Sequence, residues 1–124
     1  MTAQLVEIEG RRCLLADADG PVVRDADGAR SLIEEAMTQR ASVIVEPAAR
    51  LDGAFFQLRS GIAGEVLQKT ANYGFKFAVL GDISAHVRAS DALRNFVTEC
   101  NRGQSIFFGT DLSALTQWPA TLRT

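Results

Sequence analysis

The chain has 124 residues, of which 47% are hydrophobic and 23% are charged, and its formal net charge is -2. These values are typical of one globular domain, and the negative charge with scattered basic residues argues against a nucleic-acid-binding protein. No apolar run approaches the roughly 20 residues of a membrane span, and the N-terminus lacks the pattern of a signal peptide, so the sequence predicts a cytoplasmic protein that binds neither nucleic acid nor membrane.

The two cysteines, Cys13 and Cys100, lie far apart in the sequence. A cytosolic chain keeps such thiols reduced, and we expect both to be buried. One histidine and two separated cysteines do not supply the clustered ligands of a zinc site. We therefore predict no metal and no cofactor.

The N-terminal third predicts a hairpin, a loop and a helix. Two short apolar runs on either side of Gly10 are typical of a β-hairpin. Residues 16–28 are rich in Asp and Gly and predict a loop, in which Asp25 or Asp27 would cap a helix over residues 29–40. The apolar positions of this helix fall on one face and are Ala29, Leu32, Ile33, Ala36 and Met37.

The rest of the chain alternates between strands and helices. Apolar runs at residues 42–47 and 75–82 predict buried strands, and the run at 105–110 predicts the last strand. Residues 48–56 are expected to form an irregular segment that ends in two core phenylalanines, Phe55 and Phe56. Helices are predicted from Ser60 to Gly74, from a cap at Ser90 to Gly103, and from Thr110 or Asp111 to Pro119. Residues 83–89 are expected to form a loop or a short turn.

Alternating strands and helices imply parallel pairing with right-handed crossovers. We therefore predict a single α/β domain over residues 1–124, with an N-terminal hairpin. Its sheet would be mixed and mostly parallel, with about five strands and about four helices.

This order of elements resembles the STAS domain, the fold of bacterial anti-sigma-factor antagonists. In that family a buried strand precedes a loop with an Asp-Ser-Ser-Gly-like motif, whose middle serine or threonine heads a helix and is phosphorylated. Residues 42–46 would be this strand, and Ser60-Gly61 would be the matching pair. Leu58 and Arg59 stand where regulatory STAS domains carry an acidic residue, so a STAS kinase would meet a different surface.

Shorter motifs carry a closer resemblance. Residues 61–69 read GIAGEVLQK, and they are followed by Asn72-Tyr73 and by GDIS at residues 81–84. These motifs are similar to those of a small uncharacterised bacterial family with a STAS-like fold, the domain of unknown function four-one-eight-zero. The resemblance implies the fold and brings no established activity.

The loops after parallel strands share one edge of the sheet, and this edge is the predicted site. Ser60 there is either only a helix cap or also a phosphorylation or anion-binding residue with Gly61, since a helix N-terminus stabilises negative charge. The glycines at 61 and 64 either allow close packing on the sheet or leave room for a ligand. The further residues expected at this ligand or partner edge are Glu46, Gly64, Asp82, Ser84, His86 and Thr110.

No catalytic residue is predicted. A Ser60–His86–Asp82 triad can be written down, but it requires a hydrogen-bonded geometry that the spacing does not establish. The sequence therefore predicts a non-enzymatic regulatory or protein-interaction module that binds a protein partner. The alternative is a protein that binds a small anion, such as a nucleotide or phosphate, near Ser60. The free edge of the hairpin is also a template on which two chains could pair.

Overall fold

The computed structural model describes residues 4–8, 10–16, 28–51, 53–103 and 105–115. These residues form a mixed α/β domain with five strands and five α-helices. The strands are β1 (Gln4–Ile8), β2 (Arg11–Leu15), β3 (Val43–Pro47), β4 (Lys76–Leu80) and β5 (Ile106–Gly109). The helices are α1 (Arg30–Gln39), α2 (Ile62–Asn72), α3 (Ser84–Ala89), α4 (Asp91–Arg102) and α5 (Leu112–Leu115).

The predicted hairpin and parallel sheet are both present. β1 pairs with β2 antiparallel around Gly10, whose φ of 82° suits glycine in a tight turn. The strands lie in chain order, and β2 to β5 are parallel. Right-handed crossovers that always step in one direction place their helices on the same face of the sheet. Accordingly, Ile33 of α1, Val66 of α2 and Leu93 of α4 share one buried cluster with Ile44 of β3.

The opposite face of the sheet has its own buried cluster. Successive strand residues point to opposite faces, and Val43 and Val45 lie in this second cluster with Leu115 of α5. Val43, Ile44 and Val45 are all fully buried, which explains the continuous apolar run of β3. By the same alternation, Glu46 points to the helix-covered face, on the side of Ile44.

A side chain covers the outer edge of β5. The Asn101 amide nitrogen donates to the Phe108 carbonyl at 3.0 Å, and its amide oxygen accepts from the Phe108 N–H at 2.8 Å. These two hydrogen bonds are the ones that a residue of a neighbouring antiparallel strand would make. Asn101 of α4 therefore takes the place of a further strand at this position.

The ends of α2 and α4 follow local signals. The Ser90 hydroxyl accepts a hydrogen bond from the Leu93 N–H at 3.1 Å, which confirms the predicted cap of α4. Gly74 takes a φ of 84° one residue beyond the C-cap of α2, where the Phe75 N–H donates to the Thr70 carbonyl at 3.1 Å.

Two predictions are wrong. Residues 84–89 form α3 instead of a loop, so the described chain has five helices rather than about four. Met37, expected on the buried face of α1, is 55% exposed, because it lines a groove between α1 and α2 with Tyr73. The predicted caps at Asp25 and Asp27 and the helix end at Pro119 lie outside the described residues. In the described part of the chain, no helix has the length and apolarity needed to cross a bilayer.

Candidate functional site

A cleft opens at the carboxyl ends of β3 and β4. Its volume is about 390 Å³, with residues 47–49, 51, 53 and 56 on one side and residues 80–83 and 86 on the other. The side chains of this lining are apolar except for the carboxylate of Asp82 and the imidazole of His86. Apolar walls with a few polar groups are typical of pockets that hold a ligand or a partner side chain.

The two sides of the cleft approach closely at Gly81. Its φ is 145°, and a Cβ added there would lie 2.9 Å from the Ala48 Cβ. Its N–H donates to the Gly109 carbonyl at 2.9 Å and continues the pairing of β4 with β5. Both the φ value and the contact require glycine, so backbone contacts fix the base of the cleft.

An aromatic pair forms one end of the cleft. The His86 ring of α3 stacks on Phe56, with centroids 4.3 Å apart and planes 16° apart. Phe56 is buried and packs edge-on against Phe55, as the sequence predicted for core phenylalanines. A second depression of about 420 Å³ adjoins the cleft and shares Phe56 and His86 with it.

Asp82 gives the cleft a negative charge. Its Oδ1 atom accepts a hydrogen bond from the Ser84 N–H at 2.9 Å, at the start of α3. Hydrogen bonds from Ser84 hold the pKa of Asp82 below its usual value, and the nearby charge of Arg88 contributes less. The exposed carboxylate is therefore ionised at neutral pH.

The two residues that flank the wall residues 47–49 in the sequence form a buried ion pair. Glu46 is fully buried and Arg50 is 8% exposed, and the Arg50 Nε lies 3.7 Å from the Glu46 Oε2. This separation allows an ion pair but is too long for a hydrogen bond. Neither oxygen of Glu46 accepts a hydrogen bond from the described residues. Burial raises the pKa of Glu46 to about 7, against the smaller opposing attraction of Arg50.

Ser60 lies outside the cleft lining, on the exposed turn before α2. Its hydroxyl donates to the Ala54 carbonyl at 2.7 Å and accepts from the Ile62 N–H at 3.2 Å. The prediction that Ser60 caps α2 is wrong: the N-cap is Gly61, with a φ of 80° and no side-chain capping hydrogen bond, and Ser60 closes a turn one residue before it. Through Ala54, the hydroxyl joins the start of α2 to the 53–56 turn of the cleft wall.

The predicted site residues separate into two groups. Asp82 and His86 line the cleft, whereas the others do not, namely Glu46, Ser60, Gly61, Gly64, Ser84 and Thr110. A Cβ added at Gly61 or Gly64 would meet no atom within 4 Å, so the interpretation that these glycines allow close packing on the sheet is wrong.

The residues of the conceivable triad have other partners. The hydroxyl of Ser60 bonds Ala54, the ring of His86 stacks on Phe56, and the carboxylate of Asp82 bonds Ser84. The described residues also contain no group of three or more His, Cys, Asp or Glu side chains that is suited to a metal ion.

Sequence reasoning missed Arg50 and the contact of Phe56 with His86. Arg50 follows Glu46 by four residues across Pro47, and that spacing of opposite charges was the available signal. The stacking partner of His86 had no local signal, because the two rings are 30 residues apart in the chain.

Comparison with known proteins gives one match. The model of a family described as a domain of unknown function, DUF4180, matches residues 8–118. No curated protein and no solved structure shows a significant match to the chain.

Proposed function

The chain belongs to the DUF4180 family, and we propose that it is a non-enzymatic regulatory module with a STAS-like fold that binds a partner protein in the bacterial cytoplasm. The binding surface would be the cleft after β3 and β4 together with the adjoining depression beside α3. The STAS-like assignment is supported by the order of strands and helices, to which this chain adds the short α3 and three 3₁₀ turns before α2.

One observation carries the protein-interaction proposal. The cleft of about 390 Å³ and the depression of about 420 Å³ share Phe56 and His86, so the two hollows lie side by side and adjoin at this ring pair. Two adjoining hollows suit a segment of polypeptide, whose side chains enter neighbouring pockets. The engagement of Ser60, His86 and Asp82 with separate partners supports a role without catalysis.

The structure gives less support to the alternative, a small anion. The ionised Asp82 in the lining repels negative charge. At Ser60, the hydroxyl already occupies the Ile62 N–H, which is the first backbone donor of α2. Phosphorylation of Ser60 stays a prediction. It would remove the hydrogen bond to Ala54 and thereby loosen the 53–56 wall.

Two matched glycine variants test the protein-interaction proposal. Gly53 lines the cleft and Gly64 does not, and an added Cβ at either position meets no atom within 4 Å. Affinity capture from the source cell with wild type, Gly53→Leu and Gly64→Leu should recover a protein that Gly64→Leu retains and Gly53→Leu loses. Far-UV circular dichroism would confirm that both variants fold. Capture of the same proteins by all three baits, or of none, would refute the proposal.

A further inference from the structure

We propose that the cleft takes a cationic group, the guanidinium or ammonium of an arginine or lysine in the partner segment. The charged group would lie beside Asp82, and its apolar stem would lie along the cleft walls. The identity of the partner as a protein rests on the proposed function, whereas the preference for a cation follows from the residues of the cleft.

The charge of the lining selects a cation. Asp82 supplies the one carboxylate among the side chains of this lining, and that carboxylate is exposed. One of its oxygens accepts the Ser84 N–H, and a carboxylate has about four acceptor positions, so it can bind further donors. A guanidinium or ammonium donates to such oxygens through strong charge-assisted hydrogen bonds, whereas an anion would be repelled.

The walls suit the stem of a long basic side chain. Lysine and arginine bury their methylene groups on apolar surface while the charged head stays near water. Residues 47–49 and 51 supply that apolar surface, and Asp82 is exposed. The volume of about 390 Å³ lies at the small end of the roughly 300–1,000 Å³ of ligand pockets, which fits one side chain.

The aromatic end of the cleft favours arginine among the cations. His86 is exposed, and its ring is held in place by the buried Phe56. Arginine stacks its planar guanidinium on aromatic faces, which an ammonium cannot do in the same way. The ring pair and the carboxylate therefore offer a guanidinium two complementary contacts.

A positive charge of the chain itself lies near enough to act on the carboxylate. Arg88 of α3 is exposed, and its charge acts on Asp82. Replacement of Arg88 by glutamine should therefore strengthen the binding of an external cation. Arg88→Gln should strengthen the binding of a cation, whereas Asp82→Asn should weaken it. A general loss of folding cannot produce both changes.

The test is a titration of the full chain, observed by ¹H–¹⁵N correlation NMR. The probes are Nα-acetyl-arginine methylamide and the citrulline analogue, which has nearly the same shape without the charge. The arginine probe should shift backbone amides of residues 48–53 and 81–86, and it should bind about three- to tenfold more tightly than the citrulline probe. Arg88→Gln should widen this difference.

Two aspartates provide a matched control. Asp111 resembles Asp82, since it is exposed and accepts hydrogen bonds from the Ser113 hydroxyl and the Ala114 N–H, but it is not in the cleft lining. Asp82→Asn, which keeps an acceptor for the Ser84 N–H, should abolish the preference for the arginine probe. Asp111→Asn should keep that preference.

The results that would overturn the inference are distinct from those that concern the proposed function. Equal affinity for both probes, no shifts at the cleft, or an equal loss in Asp111→Asn would overturn the preference for a cation. If the capture experiment finds a cleft-dependent protein but the arginine probe fails, the proposed function stands and this inference falls. If the probe binds as expected but no protein depends on Gly53, the partner is not a protein and the proposed function falls.

Discussion

The free energy of unfolding should decrease as the pH rises from about 4.5 to about 7, because of Glu46. An unperturbed glutamate has a pKa of 4.5, and burial raises the pKa of Glu46 in the folded chain to about 7. Between these values the folded state holds a proton that the unfolded chain has released, so raising the pH favours unfolding. Below this window both states are protonated and the contribution is fully present, and above it the contribution is lost.

The magnitude follows from the two pKa values. Each pH unit of difference corresponds to about 1.4 kcal/mol, so the whole window amounts to ~3 kcal/mol, a large share of the stability of a small domain. The lowered pKa values of Asp82 and Asp111 act in the opposite direction and at lower pH, because their contributions are lost as the pH falls below 3.8. These carboxylates therefore do not mask the effect of Glu46.

Urea unfolding followed by far-UV circular dichroism at several pH values between 5 and 8 measures this dependence. Glu46→Gln should remove the decrease, and the exposed Glu65→Gln of α2 should keep it. The slope is the quantity to compare, since Glu46→Gln also changes the contact with Arg50 and thereby shifts the absolute stability. His86 is present in all three proteins and cancels in the comparison. A wild-type slope retained by Glu46→Gln would refute the reasoning.

Three other expectations concern the helices, the edge of the sheet and the thiols. Gly64→Ala should raise the free energy of unfolding by ~0.5–1 kcal/mol in urea titrations, since alanine favours helices and its methyl group meets no atom within 4 Å. Gly61→Ala should lower the free energy of unfolding, because alanine is strained at the φ of 80°. A loss of stability in Gly64→Ala would contradict this explanation. Asn101→Ala should lower the free energy of unfolding by ~1–3 kcal/mol and increase self-association on size-exclusion chromatography. An unchanged elution volume would show that the edge of β5 is protected by something other than Asn101. Cys13 is buried, whereas Cys100, expected to be buried, is only partly so. Burial raises each thiol pKa to about 11, so both should resist iodoacetamide near pH 8 until the chain is unfolded, and rapid modification of the folded chain would count against that.

The sheet was predictable because its sequence signals are strong and local. β3 and β4 are covered on both faces, and this burial produces the continuous apolar runs that the sequence displays. The position of Asp82 and His86 at a sheet edge was also predictable, since loops that follow parallel strands share that edge.

Other features depend on tertiary structure and left little trace in the sequence. α3 has six residues and none is buried, so no apolar stripe marks it as a helix. Ser60 was expected beside Asp82, but three short 3₁₀ turns between β3 and α2 place it outside the cleft lining. The opposite charges of Glu46 and Arg50 stand four residues apart in the sequence, but that spacing does not show that both side chains are buried, which only packing determines.

The amide of Asn101 makes the two edges of the sheet unequal, because it occupies backbone hydrogen-bonding groups of β5. Any strand that added at β5 would have to displace hydrogen bonds already made to Phe108, whereas no strand of the described residues pairs with the outer edge of β1. If two chains meet through β1, each brings one open edge and both are consumed in the contact. Edge-to-edge assembly of this domain would therefore end at a pair, without the repeated addition that builds a fibre.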